Sequence, residues 1–472
     1  MRYKAVVLGA GPGGLVLARE LARRGIDVSI YEKGNFENLG HDWSDAVELE
    51  ALNACGIELP VLQKNRWYGP LVKDSPVSEG IYEKHAIPRL SIYSPGLWSM
   101  KEIRFKMIIT DRRRLGKKLL EEALEAGADI YYRHEGKGLL YREDGQKNDG
   151  GIEVFGVVVH DLEKNCQKEI KADLVVESSG FNSVLRTGLP SYCGLSEPLK
   201  DSDFALVHRE VRKLEPFNTE GDCLFPDHYR YGFYNGYQWA HIHNEQSIDV
   251  GAGVRYDPGN PDPRDLIEEF IAKYPGIKNE KIRGGRSLCV VGSPLPSFVC
   301  SGFLVIGDAA STSVPTTGCG TGSAMLNGLR FGEVIAMAAM EGRNDLQRLW
   351  AINKKFYLES DRGPSYAALA ALRGMLQNLE HSELDFLFTK DLLDAATLED
   401  MINGKFRAPN LKGKAKALGS GFTDMPVLIK LNRALNTAVR IYDHYQNYPE
   451  KWDSKTCYKW KNEADKLLAA RG

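Results

Sequence analysis

The sequence predicts an α/β protein in three parts: a domain built on a parallel sheet, an antiparallel β-rich domain inserted into it, and a helical C-terminal region. Three observations predict it. The chain opens as strand, glycine run, helix and strand, which is the start of a βαβ unit. Irregular β-rich stretches then interrupt the α/β pieces twice. Beyond residue 343 the apolar residues recur at helical spacing, and no solenoid repeat is present.

At 472 residues the chain suits two or three packed units of about 150 residues each. A 43% hydrophobic and 26% charged composition is that of globular proteins and argues against long disorder. Lys and Arg number 61 against 63 Asp and Glu, a net charge of -2, so no nucleic-acid partner is expected. No stretch reaches the about 20 apolar residues of a membrane span, and Met1 to Lys4 carries no signal-peptide pattern. The 8 cysteines include no Cys-x-x-Cys pair; they suit reduced thiols in a cytoplasmic protein with no bound metal. From Lys405 onward 14 basic residues face 6 acidic ones, a balance of +8. Such a region is expected as a solvated helical surface or as a contact with anionic lipid or an acidic partner.

Tyr3 to Leu8 is an apolar run of strand length that stops at a glycine. Gly13 to Arg24 follows as a helix with Leu15, Leu17, Leu21 and Ala22 toward one side, and Ile26 to Tyr31 is the second strand. Ser44 to Ala54 reads as a helix with Ser44 at its N-cap. From Pro60 to Ile103 the pattern breaks into short Pro-, Tyr- and Trp-rich segments. Asp111 to Gly127 is an amphipathic helix, Ile130 to Tyr132 a strand, and 136–177 a series of short alternating strands. A second β-rich stretch covers roughly 190–295, interrupted by a helix over Pro263 to Lys273. Gly302 to Ile306 is a buried strand, and Gly320 to Glu341 is a long helix.

Gly9-Ala10-Gly11-Pro12-Gly13-Gly14 fits G-x-G-x-x-G between the first strand and its helix. Gly9 permits the tight turn, Gly11 lets the backbone approach a pyrophosphate, and Gly14 lets helix and strand pack closely. The helix N-terminus presents free N–H groups and a positive dipole end to phosphate. Glu32 ends the second strand 18 residues after Gly14, placed for ribose hydroxyls, with Lys33 beside it. A second signal, far downstream, reads the dinucleotide as FAD. The strand over Gly302 to Ile306 ends in Gly307-Asp308, whose carboxylate can reach a flavin's ribityl or pyrophosphate region. Pro315 to Gly322 then opens the long helix, where Gly318, Gly320, Thr321 and Gly322 would bring backbone N–H groups to the flavin N1/C2=O edge.

These motifs resemble the geranylgeranyl reductase family of FAD enzymes, within the p-hydroxybenzoate-hydroxylase-like flavoproteins. The resemblance covers most of the chain: the N-terminal fingerprint, Asp45-Ala46-Val47, Arg112 before its helix, Asp173 to Gly180, Gly236-Tyr237-Gln238-Trp239 with Val250 to Val254, and the block from Gly307 to Met325. It implies an FAD-binding Rossmann-like domain with an inserted antiparallel sheet domain for substrate, and it sets Asp45, Ala46 and Arg112 beside the cofactor. It also implies reduction of polyprenyl C=C bonds by an external reductant, a tunnel for a long apolar substrate, and peripheral membrane association. Two motifs depart from the family. Its Pro-Cys-Gly before the acidic residue is here Asp42-Trp43-Ser44, and its Tyr-x-Trp-x-Phe-Pro is Tyr237-Gln238-Trp239-Ala240-His241-Ile242. A tryptophan at that place favours a more compact or aromatic substrate. Trp43, Tyr237 and Trp239 are expected to bound its cavity.

Hydrogenating an alkene with a flavin needs a hydride from N5 and a proton for the other carbon. His41, Tyr237 and His241 are the candidate proton donors, and His41 also sits where some flavoproteins attach FAD covalently. An aromatic monooxygenase on the same fold is the competing reading. The Asp those enzymes carry in the third motif is here Ser179, so no direct nicotinamide seat is expected. Electrons would then come from a ferredoxin-like protein, or from reduced nicotinamide through another protein. A flavin-carrying electron-transfer protein without its own turnover is a third reading. The expected division is an FAD-binding domain over 1–60, 104–188 and 297–342, a β-rich substrate domain over 61–103 and 189–296, and a helical domain over 343–472.

Overall fold

A computed structural model describes residues 3–59, 62–65, 69–72, 81–86, 89–143, 151–215, 228–232, 235–244, 246–408 and 425–469. Lys412, Lys414, Lys416 and Arg471 of the basic C-terminal region lie outside these.

The first sheet runs in the order Asp129–Tyr132, Asp27–Glu32, Lys4–Leu8, Leu174–Glu177, Phe303–Val305, Val299–Cys300. All neighbours are parallel except the last pair. Helices Pro12–Arg23, Arg112–Glu125 and Thr321–Met340 pack with it, and the antiparallel strands His134–Glu143, Ile152–Asp161 and Cys166–Lys171 share its core through Val154 and Val157. Burial on both faces is why Ala5, Val6, Val7 and Leu8 are continuously apolar instead of alternating. Strand order reverses between Lys4–Leu8 and Leu174–Glu177, which opens a crevice at their C-terminal ends. Helices Pro12–Arg23 and Thr321–Met340 meet closely at Gly328, where a Cβ would lie 2.5 Å from the Gly13 carbonyl oxygen.

The second sheet has seven strands in the order Ile277–Val290, Phe204–Leu214, Ser247–Arg255, Tyr237–Asn244, His228–Tyr231, Arg89–Tyr93, Met100–Arg104. It joins two distant stretches of chain through the parallel pairing of His228–Tyr231 with Arg89–Tyr93. One face, with Ala240, Ile242, Val250, Ala252 and Val254, packs on helix Pro263–Ala272 through Leu266, Ile267 and Phe270. Asp262 caps that helix by accepting from the Arg264 N–H, and Pro263 fills its first turn. Side chains alternate across the sheet, so Tyr237 and Trp239 look the other way, into a core shared with Ala46, Met107, Ile109, Leu369 and Leu372.

The helix expected over Ser44 to Ala54 is in fact the strand Ser44–Glu48 followed by the short helix Leu49–Ala54. The strand pairs antiparallel with Met107–Asp111, Ser44 opposite Asp111, and this distant pairing overrides the local helical pattern. Helices Leu346–Tyr357, Arg362–Leu376, His381–Thr389, Ala395–Ile402, Met425–Gln446 and Ser454–Ala469 follow among the described residues. The last two are fastened by buried aromatics: Tyr357 stacks on Tyr448 at 4.3 Å, and Trp460 meets Tyr445 edge-on at 5.0 Å.

Candidate active site

The glycine loop leaves the first strand through Gly9, whose φ is +91° and whose Cβ would lie 2.6 Å from the Ser178 carbonyl oxygen. A side chain there meets both strain and a clash. The helix begins at Pro12 with Gly11 as its N-cap, and no side chain of the cap residue closes it. The Gly14 N–H donates to Ser178 Oγ (3.2 Å). Glu32 secures the loop from the second strand: Oε2 accepts from the Ala10 N–H (2.7 Å) and Oε1 from the Gly34 N–H (2.6 Å). A carboxylate has about four acceptor positions, so two remain for hydroxyl donors.

The second half of the site lies at the start of helix Thr321–Met340. Asp308 accepts from Ser313 Oγ (2.9 Å), and burial holds its carboxyl above the usual aspartate range against the opposing pull of Ser313 and Arg112. Gly318 has φ +72°, and Gly320 is the helix N-cap with no side-chain bond of its own. The Thr321 hydroxyl donates to Asp45 Oδ2 (2.5 Å), and Arg112 Nε stands 3.6 Å from the same oxygen. The loop before Ser44–Glu48 is pinned by the Arg112 N–H, which donates to the Trp43 carbonyl (3.2 Å). Trp43 stacks on His41 at 4.4 Å. His41 sits on the exposed rim; the protein around it, then the Arg112 cation, push its imidazole below the usual histidine range, with Asp45 opposing.

The second sheet supplies the third side. Its pairing sets Arg209 opposite Gly251 and Gly251 opposite Trp239, with Val207, Gly253 and Tyr237 in the adjacent row. Gly251 has no side chain, so the Trp239 ring lies across it and comes within 5.4 Å of the Arg209 guanidinium. Arg209 Nη2 donates to Asp249 Oδ2, and His243 Nε2 is 3.7 Å from that oxygen. Burial opposes a charge on Asp249, yet Arg209 foremost and His243 after it hold the carboxyl well below the usual range. The Tyr237 hydroxyl donates to the Thr317 carbonyl, tying this sheet to the loop before the long helix.

One cavity of about 380 Å³ joins all three sides. Of the residues singled out in the sequence, Gly9, Gly11, Glu32, His41, Trp43, Asp45, Ala46, Arg112, Tyr237, Trp239, His241, Asp308, Gly318, Gly320 and Thr321 line it. Three do not. Gly14 is buried against Ser178, where a Cβ would come within 2.6 Å of Oγ. Gly322 backs onto Glu48, and a Cβ there would overlap its carboxylate, so this glycine serves helix packing. Lys33 turns outward to Glu135 (2.7 Å). Lining residues that sequence reasoning did not single out include Val207, Arg209, Ser287 and Cys289, and it gave no role to Ser178 or Cys319 within the motifs it quoted. Burial pushes the Cys289 thiol up to about 12, so it is a neutral part of the wall.

This geometry fits a dinucleotide, with glycines where phosphate must approach the backbone, acceptors at Glu32 and Asp308, and the starts of two helices facing the same cavity. Residues 7–48 match the model of an NAD(P)-binding Rossmann-like domain. The digeranylgeranylglycerophospholipid reductase of Sulfolobus acidocaldarius is 24% identical, across 99% of this chain and 98% of its own. The reductase of that name from Methanosarcina acetivorans is 25% identical over 86% of this chain and 93% of its own. The chain is similar to the first of these reductases over nearly its whole length. Among solved structures, a geranylgeranyl bacteriochlorophyll reductase-like protein from Thermoplasma acidophilum superposes with a TM-score of 0.65 at 18% identity, covering 92% of this chain and 99% of its own. A flavin-dependent brominase superposes with 0.59 at 15% identity, covering 94% and 100%. Both share the fold: a Rossmann-like domain, antiparallel sheets and a helical C-terminal part.

Proposed function

We propose that the chain is an FAD-dependent reductase that hydrogenates a C=C bond of a largely apolar substrate. The observation that carries this reading is the single cavity in which the dinucleotide cradle meets the aromatic wall of Tyr237, Trp239 and Trp43. End-to-end similarity to named lipid reductases supports it. When bound, FAD supplies the hydride. Gly9, Gly11 and the start of helix Pro12–Arg23 hold its diphosphate, Glu32 its ribose, and Asp308 with Asp45, Ala46, Arg112, Gly318, Gly320 and Thr321 the flavin half. The domain division is part of the same proposal: two segments of chain make the substrate sheet, and the remainder holds cofactor and helices.

The three candidate proton donors differ in placement. The Tyr237 hydroxyl is committed to the Thr317 carbonyl, and His41 lies on the rim. His241 is 2% exposed and lines the cavity beside Trp239, so it is the residue that delivers the proton in this reading. Tyr237, Trp239 and Trp43 exclude water and orient the alkene. Electrons enter from a separate redox protein, because Ser179, which donates to Glu177 Oε1 (3.0 Å), stands where a nicotinamide-binding carboxylate would be needed. Contact with a membrane surface completes the proposal; no helix among the described residues is long and apolar enough to cross one.

The test is an anaerobic one. Enzyme reduced with dithionite is mixed with a polyprenyl alkene, and the oxidised flavin spectrum should return as the product gains two hydrogens. Reoxidation that needs oxygen and inserts an oxygen atom would establish the monooxygenase instead. A protein that transfers electrons but leaves every alkene intact would establish the electron-transfer reading.

A further inference from the structure

The turn 94–99, between strands Arg89–Tyr93 and Met100–Arg104, holds an apolar tip out into solvent. Trp98 is 80% exposed and Leu97 56%. The turn beneath them is firmly tied. The Ser94 carbonyl accepts from the Leu97 N–H, and the Ser94 N–H donates to the Ser99 carbonyl (3.0 Å each). The Pro95 carbonyl accepts from Arg230 Nε (2.7 Å), and the Gly96 N–H donates to Asp385 Oδ1 (2.9 Å). Leu97 has φ +63°, a left-handed backbone that leucine rarely adopts. A Cβ on Gly96 would lie 2.4 Å from the Trp98 ring, so a glycine is what lets the indole rest there. A tied turn with a strained residue at its tip points to function.

The tip has neighbours of its own kind. Helix His381–Thr389 buries Leu384, Leu387 and Phe388, and it turns Ser382, Phe386 and the following Lys390 outward. On one flank of that helix Asp385 receives the Gly96 N–H; on the other Glu383 receives Lys430 of helix Met425–Gln446 (2.6 Å). Residues two apart lie on nearly opposite sides of a helix, so the outward stripe runs between the turn and helix Met425–Gln446. That helix exposes Met425 (48%) and Ile429 (47%) one turn apart, with Arg433 a turn further on. Residues 425–440 carry Lys430, Arg433 and Arg440 and no acidic residue. The carboxylates nearby are engaged: Asp385 by Gly96, Glu383 by Lys430, and Asp391 by Lys101. Behind the turn lies a second cavity of about 40 Å³, whose lining includes Val254, Val291, Pro315, Leu376 and Leu384. Gly232 in its wall meets the turn, since a Cβ there would lie 3.0 Å from Pro95 Cγ. Tyr237 and Thr317 line this cavity and the larger one, so their hydrogen bond stands between the two.

We propose that this face, with Leu97 and Trp98 at its tip and Met425 and Ile429 beside them, seats the protein on a bilayer that contains anionic lipid. The proposal rests on the reductase reading, of which membrane contact is a part, and it places that contact on one sheet turn and the two helices next to it. An indole suits the headgroup level of a bilayer, and leucine, isoleucine and methionine suit the acyl boundary beneath it. Lys390, Lys430 and Arg433 around them complement lipid phosphate. The second cavity favours lipid over a protein as the occupant. An apolar chain leaving the bilayer beside Trp98 meets Pro95 and Leu384, and then the wall that this cavity shares with the cofactor site.

The experiment uses the full FAD-loaded chain and vesicles of phosphatidylcholine, alone or with about one third phosphatidylglycerol. Co-sedimentation gives the affinity. The chain has 7 tryptophans, so the emission of Trp98 is taken as the difference between wild type and Trp98→Phe. The wild type should sediment with the anionic vesicles, and the Trp98 emission should shift to the blue. Leu97→Ser/Trp98→Ser should weaken that binding about tenfold or more and leave the melting temperature and flavin spectrum unchanged. Lys430→Gln/Arg433→Gln should remove the preference for phosphatidylglycerol. Binding is read without turnover, so a protein that binds vesicles by this face but reduces no alkene would support the surface and count against the reductase reading alone. A wild type that stays in the supernatant with both vesicles would overturn the proposal, as would a Leu97→Ser/Trp98→Ser variant that binds them undiminished. A dimer in sedimentation velocity that this variant splits, with no vesicle binding, would assign the face to a second copy of the chain and overturn it as well.

Discussion

Replacing Gly251 by alanine tests the architecture of the proposed substrate wall with a single methyl group. Gly251 has ordinary strand backbone, so no conformational strain enters. A Cβ at this position would lie 2.0 Å from Cζ2 and 2.3 Å from Cε2 of Trp239, where contact normally begins near 3.4 Å. The indole must therefore withdraw by about 1.4 Å, away from Arg209. Overpacking of this kind costs about 1–3 kcal/mol, and loss of the cation–π contact adds about 0.5–1 kcal/mol. Gly253→Ala is the internal control, two residues along on the same face: its Cβ would find Val207 Cγ2 at 3.4 Å, an ordinary contact. We expect urea or thermal melts to place Gly251→Ala about 1.5–4 kcal/mol below the wild type and Gly253→Ala within about 0.5 kcal/mol of it. Ligand perturbation of the flavin spectrum should weaken only in the first. Equal stability of the two variants, or a Gly251→Ala structure with the indole unmoved, would refute the account of the wall.

Gly11→Val should abolish FAD binding: its side chain enters the space where phosphate approaches and presses on Ser178 Oγ, already 3.1 Å from a Cβ; full flavin occupancy would count against the cradle. Asp249→Asn should cost about 3–5 kcal/mol at pH 7 by leaving the Arg209 charge buried without its partner. Arg209 and His243 depress the folded-state value of Asp249 well below its ordinary 3.8, so the ion pair stabilises fully above about pH 4 and its contribution is lost progressively as pH falls below that toward the lower folded-state value. The stability gap between wild type and Asp249→Asn should accordingly be widest near neutrality and close on acidification. Trp43→Cys should widen the cavity toward longer prenyl chains, seen as a rise in relative rate for long over short substrates; an unchanged substrate range would make Trp43 structural.

How far the sequence carries depends on whether a feature is local. The glycine loop, Glu32, the strand that leads to Asp308 and the helix from Thr321 are written in consecutive residues, so spacing alone places them. The strand Ser44–Glu48 is not, because its partner Met107–Asp111 lies beyond a whole β-rich segment and only that pairing makes it extended. Arg209 is illegible for the same reason. Nothing in Phe204–Leu214 says that residue 209 will stand opposite Gly251 and Trp239; the register of three strands decides it. Glycines mislead differently. Gly322 reads like the glycines beside it that would turn backbone N–H groups to a cofactor, yet it accommodates Glu48, whereas Gly14, read as the packing glycine of the loop, does accommodate Ser178.

The two halves of the proposed cofactor seat, Gly9–Gly11 and Asp308–Thr321, also set a timetable for synthesis. At about 5–20 residues per second a ribosome takes roughly 15–60 seconds to travel from one to the other. Through that interval Lys4–Leu8 has emerged, while Phe303–Val305, which completes the parallel core, does not yet exist. The nascent chain must therefore carry an unfinished apolar edge that other strands can invade. Flavin can engage only after the long helix has left the ribosome, and ligand that binds only the finished fold stabilises it by mass action. Cells short of flavin should consequently show less of this protein through faster degradation at an unchanged rate of synthesis.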